Sequence, residues 1–483
     1  MPRPTRLTGR LAGPALAATA LALAACAALP DAATPPAPRD ATTLAAARSF
    51  EAPAAAWPEQ AWWHAYGDAQ LDALVADGLA GSPSIAIAQA RLARAESQVQ
   101  TTRAAELPQL SANTSLTEQK QSNDYLSPRA ATPQGWNDYG RATLDFSWEI
   151  DFWGRNRAAL RAALSDAGAA RADAAQARLM LATSIASAYA EFVRLSAAED
   201  TAVAALEVRG KTVTLFRQRR DNGLETLAAV RQVEARREMA EADLLALREQ
   251  IALQRNRLAT LAGAGPDRGL ALTRPTGDFT RAFGLPTTLP VDLVGRRPDL
   301  VAARLRVESA QGRIDAARAA FYPNVNLAAF IGVQSLGLDK LARGDSAVGS
   351  VGPAISLPIF EGGRLRGQLR GTQADFAAAV ASYDDTLLRA LQDVADVATS
   401  ERALGAELAR TSAGVDAAQE AWRIQARRYE GGLTSALDVL SAEDAWLANR
   451  RSLSDLQSRA FALDVALQRA LGGGYAQAPA ARS

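Results

Sequence analysis

The sequence predicts an α+β membrane protein built from a duplicated unit of very long helices and amphipathic strands. Short motifs recur about 210 residues apart, which is typical of an internal duplication. Two proline-free stretches each extend over roughly 67 residues, and each follows runs in which apolar and polar side chains alternate. A helix of that length rises about 100 Å, more than the core of a globular domain can cover, so its partners must be other helices in a coiled coil.

The duplication rests on motifs that keep their order in both copies. The matching pairs are Pro83-Ser84-Ile85 with Pro298-Asp299-Leu300, Gly154-Arg155 with Gly363-Arg364, and Gly223-Leu224 with Gly432-Leu433. Each copy predicts a short helix, two strands, a very long helix, a tight turn and a second helix.

The predicted helices and turns fall at equivalent places in the two copies. They are short helices at about 83–106 and 298–321, long helices at 154–221 and 363–430, and reversals at 222–223 and 431–432. Each short helix ends just before a proline, where helices commonly stop. Each reversal contains glycine, which tolerates the positive φ that a sharp turn between helices requires.

The prediction that this is a membrane protein rests on the strands. Residues 141–152 alternate apolar and polar side chains without a break, and residues 325–333 and 351–359 do so in the second copy. A first strand is predicted near residues 110–116. Runs of about 9–11 tilted residues cross a bilayer, but four strands are too few to close a membrane barrel. If they face lipid rather than a soluble core, oligomerisation is required, and three chains would supply about twelve strands.

The N-terminus predicts secretion and lipidation. Three arginines within the first ten residues precede an apolar stretch at 11–25 that is too short to span a bilayer stably. Cys26 follows Leu-Ala-Ala, which resembles the bacterial lipobox; the alternative for a lone cysteine is a buried, inert thiol. We predict a signal peptide at 1–25, covalent lipid on Cys26 and a tether rich in Ala, Pro and Thr within 26–66.

Composition narrows the classes of function. One cysteine and one histidine among 483 residues argue against Cys/His metal sites and Cys/His catalysis. The net charge of +1 and the lack of a clustered basic patch give no indication of nucleic-acid binding. Serine or carboxylate chemistry remains formally open, but no nucleophile elbow, HExxH or P-loop motif is present. We expect no enzyme, no metal site and no cofactor apart from the lipid.

Three segments resemble one family. Residues 148–155 (WEIDFWGR) resemble the strand-to-helix signature of TolC-like outer membrane factors, in the NodT/OprM-type efflux lipoprotein branch. Residues 289–300 resemble the opening of that branch's second repeat, and residues 319–323 resemble the run that enters its third strand. The resemblance implies a homotrimer with a 12-stranded outer-membrane β-barrel that continues into a periplasmic α-barrel of coiled-coil hairpins.

The resemblance also divides the chain after the tether. The implied parts are an efflux repeat 1 at 67–265, an equatorial linker at 266–290, an efflux repeat 2 at 291–472 and a C-terminal tail at 473–483. By resemblance to lipoprotein sorting rules, Ala27 rather than an aspartate after the cysteine implies the outer membrane.

The function that the resemblance implies is the exit duct of a tripartite efflux system. Such an outer-membrane channel docks onto a periplasmic adaptor and an inner-membrane pump, often of the resistance-nodulation-division (RND) type. It passes small molecules such as drugs or metal ions out of a Gram-negative cell and extends from the outer membrane into the periplasm. The alternative, from another class, is a coiled-coil periplasmic scaffold or trimeric adhesin lipoprotein that transports nothing.

The second reversal carries the residues that resemble the family's periplasmic aperture. There, Arg428, Tyr429 and Asp438 are implied to help close it through polar links and rings of charge. For Asp438 the alternative is an ordinary solvated aspartate on a helix face. Ser441 and Ala229 stand where an acid would complete a symmetric ring, so this sequence departs from the family pattern there.

The tips of the two hairpins are implied to meet the adaptor. The residues concerned are Gly223, Leu224, Gly432 and Leu433. Turn geometry by itself also accounts for the two glycines.

Overall fold

The computed structural model describes residues 36–476, with the exception of 123, 125–127 and 280. The predicted signal peptide, Cys26, the first part of the predicted tether and residues 477–483 lie outside the described residues. The chain forms two compact units. The first contains Ala93–Ala169 and Arg304–Ser382, and the second contains Arg39–Leu92, Ala170–Ala303 and residues 383–476.

The helices repeat in length and order. Numbered along the chain, they are α1 Ala69–Gly81, α2 Pro83–Arg103, α3 Arg155–Asp221, α4 Leu227–Leu261, α5 Asp267–Leu270, α6 Leu289–Arg296, α7 Pro298–Ala319, α8 Arg364–Glu430 and α9 Ala436–Ala470. Helices α3 and α8 are both 67 residues long, and α4 and α9 are both 35. The predicted duplication is therefore confirmed, and each long helix begins one residue after its predicted start.

None of the helices in the described part of the chain combines the length and the apolarity that a membrane span requires. Taken together, α1 and α2 reach that length and apolarity, but the pair is bent by 42°. Leu71, Leu74 and Val75 of α1 are fully buried in the core of the second unit.

A four-stranded antiparallel sheet lies in the first unit. Its strands are β1 Gln109–Lys120, β2 Trp136–Ile150, β3 Asn324–Leu336 and β4 Ala347–Ser356, in the spatial order β1-β2-β3-β4. The prediction of four strands is confirmed, but the predicted extensions of the second strand to Phe152 and of the last strand to Ile359 are wrong. Strand β4 ends at Ser356, because its partner β3 begins at Asn324, directly after Pro323, and has no earlier residue in the ladder to pair with.

The register of the strands collects side chains of like chemistry on one face. Leu144 of β2 lies opposite Ala112 of β1 and Ile331 of β3. The large members of this apolar face are Leu110, Leu116, Leu144, Phe146, Trp148, Ile150, Val325, Leu327, Ile331, Val333, Val351 and Ile355. Val351 is 76% exposed and Leu110 is 70% exposed, so the described part of the chain does not cover the apolar face. The opposite face carries mainly Ser, Thr, Asn, Gln and charged side chains.

The core of the second unit is aromatic. Tyr66, Tyr189 and Phe461 are fully buried and belong to one cluster. The buried Asp68 accepts a hydrogen bond from the Tyr189 hydroxyl at 2.9 Å and another from the Leu71 N–H at 3.0 Å. One carboxylate thus caps α1 and fixes the orientation of the aromatic cluster.

The later part of the predicted tether makes specific contacts in the same unit. Ala55 donates its N–H to the Leu285 carbonyl at 3.0 Å. The Arg296 guanidinium lies 4.7 Å from the ring centre of Trp57. Residues near 55 are therefore held by pairing and a cation–π contact as well as by the covalent chain.

A buried arginine joins three helices of the second unit. Arg297 is 7% exposed and forms ion pairs with Asp299 at 2.7 Å and with Asp393 of α8 at 3.0 Å. It also donates to the Ala470 carbonyl at the end of α9, at 3.3 Å. Its equivalent in the first repeat is Ser82, so this ion-pair network belongs to the second repeat alone.

Candidate functional site at the hairpin tips

The two hairpins reverse through the same turn. Gly223 and Gly432 have φ values of 71° and 74°. The following residues, Leu224 and Leu433, each donate an N–H at 2.8 Å to the carbonyl five residues earlier. This is a left-handed glycine cap in both repeats, and it satisfies the carbonyls that the ends of α3 and α8 leave open.

Leucines are exposed at both tips. Leu224 is 63% exposed and Leu433 is 71% exposed, although the residue after such a glycine commonly packs back on its own helix. Leu227 and Leu437, in the first turns of α4 and α9, are exposed as well. Exposed apolar side chains concentrated at one place are typical of a surface that another protein covers.

The second tip is tied to the first through Tyr429. The ring of Tyr429 stacks on Phe216 of α3 with centroids 5.1 Å apart, and the Arg219 guanidinium lies 4.3 Å from its centre. The Tyr429 hydroxyl donates a hydrogen bond to the carboxylate of Glu225, in the first turn. Arg219 donates to the Tyr429 carbonyl at 3.0 Å. The first hairpin therefore caps the end of α8.

The hydrogen bond from Tyr429 to Glu225 requires that the tyrosine hydroxyl keep its proton. Burial, followed by the hydrogen bond to the Glu225 carboxylate, raises the pKa of the Tyr429 hydroxyl far above its ordinary value. The hydroxyl therefore remains a hydrogen-bond donor throughout the physiological pH range. Sequence resemblance identified Tyr429 but not its partners, because Glu225, Arg219 and Phe216 are about 200 positions away in the other repeat.

Asp438 caps the helix that follows the second turn. Its Oδ2 accepts hydrogen bonds from the hydroxyl groups of Ser435 at 2.7 Å and Thr434 at 2.8 Å, and from the Ser435 N–H at 3.1 Å. Ser435 in turn accepts from the Asp438 N–H, which completes a capping box. These hydrogen bonds, that of the Ser435 side chain first, hold the pKa of Asp438 below its usual range.

The three predicted aperture residues have separate partners. Arg428 donates to the Leu433 carbonyl at 3.4 Å, and the hydrogen bonds of Asp438 all go to its own turn. Only Tyr429 reaches the other hairpin. Because the lowered pKa keeps Asp438 ionised at neutral pH, a response of this carboxylate to pH would fall in the acidic range.

A second group of acids lies two turns further into α9. Asp444 forms ion pairs with Arg209 of α3 at 3.0 Å and Arg236 of α4 at 2.7 Å. The adjacent Glu443 is 1% exposed and accepts a hydrogen bond from the Thr212 hydroxyl at 2.7 Å. In the sequence, the only indication was that Glu443 and Glu234 occupy equivalent positions in the two repeats, 209 residues apart. This equivalence does not indicate burial.

Paired hairpins with glycine tips, together with a sheet that exposes one apolar face, define a class. That class is the subunit of a membrane duct, in which strands face lipid and long helices form a wall. No three His, Cys, Asp or Glu side chains in the described chain are grouped so that they could hold a metal ion.

A family model described as outer membrane efflux protein matches residues 74–264 and 289–473. The chain therefore belongs to the outer membrane efflux protein family. Multidrug resistance outer membrane protein MdtP from Escherichia coli K12 is 33% identical over 434 residues, which cover 88% of each chain. Fusaric acid resistance protein FusA from Burkholderia cepacia is 40% identical over 325 residues, covering 66% of this chain and 61% of that protein.

Solved structures share the fold. The outer membrane protein VceC from Vibrio cholerae is 48% identical and superposes with a TM-score of 0.83, covering 86% of this chain and 100% of that one. The outer-membrane channel OprN is 28% identical with a TM-score of 0.81, covering 93% of this chain and 99% of that one. The predicted recognition, fold class, outer-membrane location and efflux-channel function are confirmed.

Proposed function

We propose that three copies of this chain form the exit duct of a tripartite efflux system. The observation that supports it most directly is that the chain leaves complementary edges open, both in its sheet and among its long helices. An edge that one chain cannot satisfy requires a partner, and a closed ring of identical chains satisfies every edge at once.

The sheet has two such edges. In the order β1-β2-β3-β4, strands β1 and β4 each pair on one side only within the described chain. They are 12 and 10 residues long, which suits pairing of β1 of one copy with β4 of the next. In a bilayer, unpaired N–H and C=O groups cost several kcal/mol each, so the twelve strands of three copies close into a barrel.

The helices of the second unit have matching open seams. On α4, one exposed face is small and apolar and comprises Ala228, Ala235, Met239, Ala242, Ala246 and Leu253. On α8, the face opposite its buried side comprises Ala406, Ala409, Ala413, Ala417 and Ile424, all exposed. The residues of both seams recur at steps of three, four or seven, the spacing that coiled coils use. Packing of the α4 seam against the α8 seam of the next copy would close a helical wall.

Four further assignments extend the duct. The exposed leucines at the tips, with Gly223, Leu224, Gly432 and Leu433, would dock onto a periplasmic adaptor that joins an inner-membrane pump, of the RND type. Arg428, Tyr429 and Asp438 would border the periplasmic aperture. The cargo would be small molecules: relatives are named for multidrug and fusaric acid resistance. Cys26 would carry the lipid that anchors the chain to the outer membrane.

Replacing Ala246 with glutamate should abolish the trimer. Each of three seams would then bury a carboxylate without a partner, at an effective cost of several kcal/mol per charge. The measurements are the oligomeric state in detergent and single-channel conductance in planar bilayers. Ala252→Glu, exposed on α4 outside the seam, is the matched control and should remain a conducting trimer. A wild-type protein that is monomeric and forms no channel would overturn the proposal.

Asp438→Asn should reduce the preference of the channel for cations and leave its pH dependence unchanged between pH 5 and 8. The sign follows from the lowered pKa: the carboxylate is ionised above its ordinary range, and its charge is lost only as the pH falls through the lowered value. Reversal potentials in a salt gradient measure the preference. Asp416→Asn, exposed on α8, is the control, and equal effects of both substitutions would remove Asp438 from the aperture.

A further inference from the structure

Glu443 is buried where α9 packs against α3 and α4. Its side chain is 1% exposed, and its Oε2 accepts the hydrogen bond from Thr212 of α3. Val439 and Leu440, one turn nearer the tip, belong to the same buried cluster as Tyr429. An outward movement of the first turns of α9 would therefore bring the Glu443 carboxylate into water together with this cluster.

The charged groups that face Glu443 come from all three helices. They are Arg209 of α3, Arg236 of α4 and Asp444 of α9. Both guanidiniums form their ion pairs with Asp444, and within the described part of the chain Glu443 forms none. Burial is the main cause that raises the pKa of Glu443, and Asp444 adds to it. The Thr212 hydroxyl and the two guanidiniums oppose the shift without cancelling it.

The first repeat contains the opposite arrangement at the equivalent position. Glu234 of α4 forms ion pairs with Arg217 at 2.6 Å and with Arg231 at 2.7 Å. Hydrogen bonds from these two guanidiniums, that of Arg217 first, lower the pKa of Glu234. The duplicated glutamates therefore differ in kind: one is a fixed charge, and the other is an acid whose environment favours the neutral form.

We propose that Glu443 is a proton-linked positioning residue of the periplasmic aperture, whose neutral form holds the first turns of α9 against α3 and α4 and whose ionised form favours their outward movement. This inference rests on the proposed exit duct, because the hairpin tips of α8 and α9 are where that duct would open. It differs from the role of Asp438, whose carboxylate is exposed and remains charged.

The direction of the pH dependence follows from the raised pKa. The packed tip is fully favoured below the ordinary glutamate pKa of about 4.3, and this preference is lost as the pH rises through the raised value. Within that window the ratio of packed to splayed tips changes by about tenfold per pH unit for each copy. Conductance is therefore expected to rise with pH across the window.

The test is a pH titration of single-channel conductance with the full-length trimer. Glu443→Gln, which is always neutral, should give low conductance that changes less than about twofold where the wild type changes about tenfold. Glu234→Gln is the matched control and should keep the wild-type profile. Thr212→Val removes a hydrogen bond that favours the charged form, so it should move the midpoint to higher pH.

A wild-type pH profile in Glu443→Gln would overturn the inference, as would an unmoved midpoint in Thr212→Val. If Glu443→Gln fails to assemble, the Thr212→Val midpoint decides. If the wild type conducts at no pH, the exit duct itself fails. The inference about Glu443 is then tested without conductance, by the distance between spin labels attached to Leu433→Cys in the oligomer. The inference predicts that this distance increases with pH, and an unchanged distance would contradict it.

Discussion

Arg297→Ala is expected to destabilise the second unit by about 3 kcal/mol, because it removes a buried guanidinium and leaves two half-buried carboxylates without their cation. Arg297 binds Asp299 and Asp393 and also donates to the carbonyl of Ala470. The substitution therefore disconnects the start of α7 from α8 and from the end of α9. The oligomer should dissociate at a much lower temperature in detergent, which heating followed by SDS electrophoresis or light scattering would record.

Two comparisons separate the ion-pair network from a general loss of charge. Arg389→Ala removes an exposed arginine of α8 whose partner is Asp385, and it should change stability by no more than about 0.5 kcal/mol. Adding Asp393→Ala to Arg297→Ala should restore part of the loss, because one orphaned carboxylate disappears. Equal stabilities of Arg297→Ala and Arg389→Ala would contradict the role assigned to the buried arginine.

Tyr429→Ala is expected to open the proposed periplasmic aperture. It removes a hydrogen bond to Glu225, a stack on Phe216 and a cation–π contact with Arg219. Together these contribute about 2 kcal/mol per chain, which corresponds to about 30-fold in the ratio of joined to separated tips. Single-channel recordings should therefore show a large increase in conductance or open time at neutral pH.

Graded variants test this interpretation. Tyr429→Phe removes only the hydrogen bond and should have a smaller effect in the same direction. Arg220→Ala lies at the neighbouring first tip but loses only its contact with the adjacent Asp221, so its conductance should match that of the wild type. If Tyr429→Ala behaves as Arg220→Ala does, the contact between the two tips does not hold the aperture.

Local features of the sequence predicted most of the fold. The long helices, the four strands and the two reversals all follow from side-chain periodicity and glycine, which act within a few residues of each other. The last strand, which was predicted too long, shows the limit: alternation continued to Ile359, but pairing stopped at Ser356, where the partner strand begins at Asn324. Periodicity describes which face a side chain occupies, not whether its backbone is paired.

The candidate site was predictable only in part. Resemblance identified Tyr429 and Asp438, and turn geometry identified Gly223 and Gly432. The partners of these residues were not predictable, since a sequence gives no direct information on contacts between distant positions. The capping role of Asp438 was available from the Ser-x-x-Asp spacing at the start of α9, a pattern that satisfies the open N–H groups of a helix.

The sequence by itself determined that this protein is a duplicated chain with coiled-coil hairpins and strands of one apolar face, because these properties depend on local spacing. Only the tertiary structure decided how the two copies diverge. Tyr429 meets Glu225 across 204 positions, and Arg297 joins helices where the first repeat has a serine. Within the described residues the buried Glu443 forms no ion pair, whereas its counterpart Glu234 forms two. The pKa of a carboxylate depends on its burial and on the charges near it, and both are set by the packing of residues that are distant in the sequence.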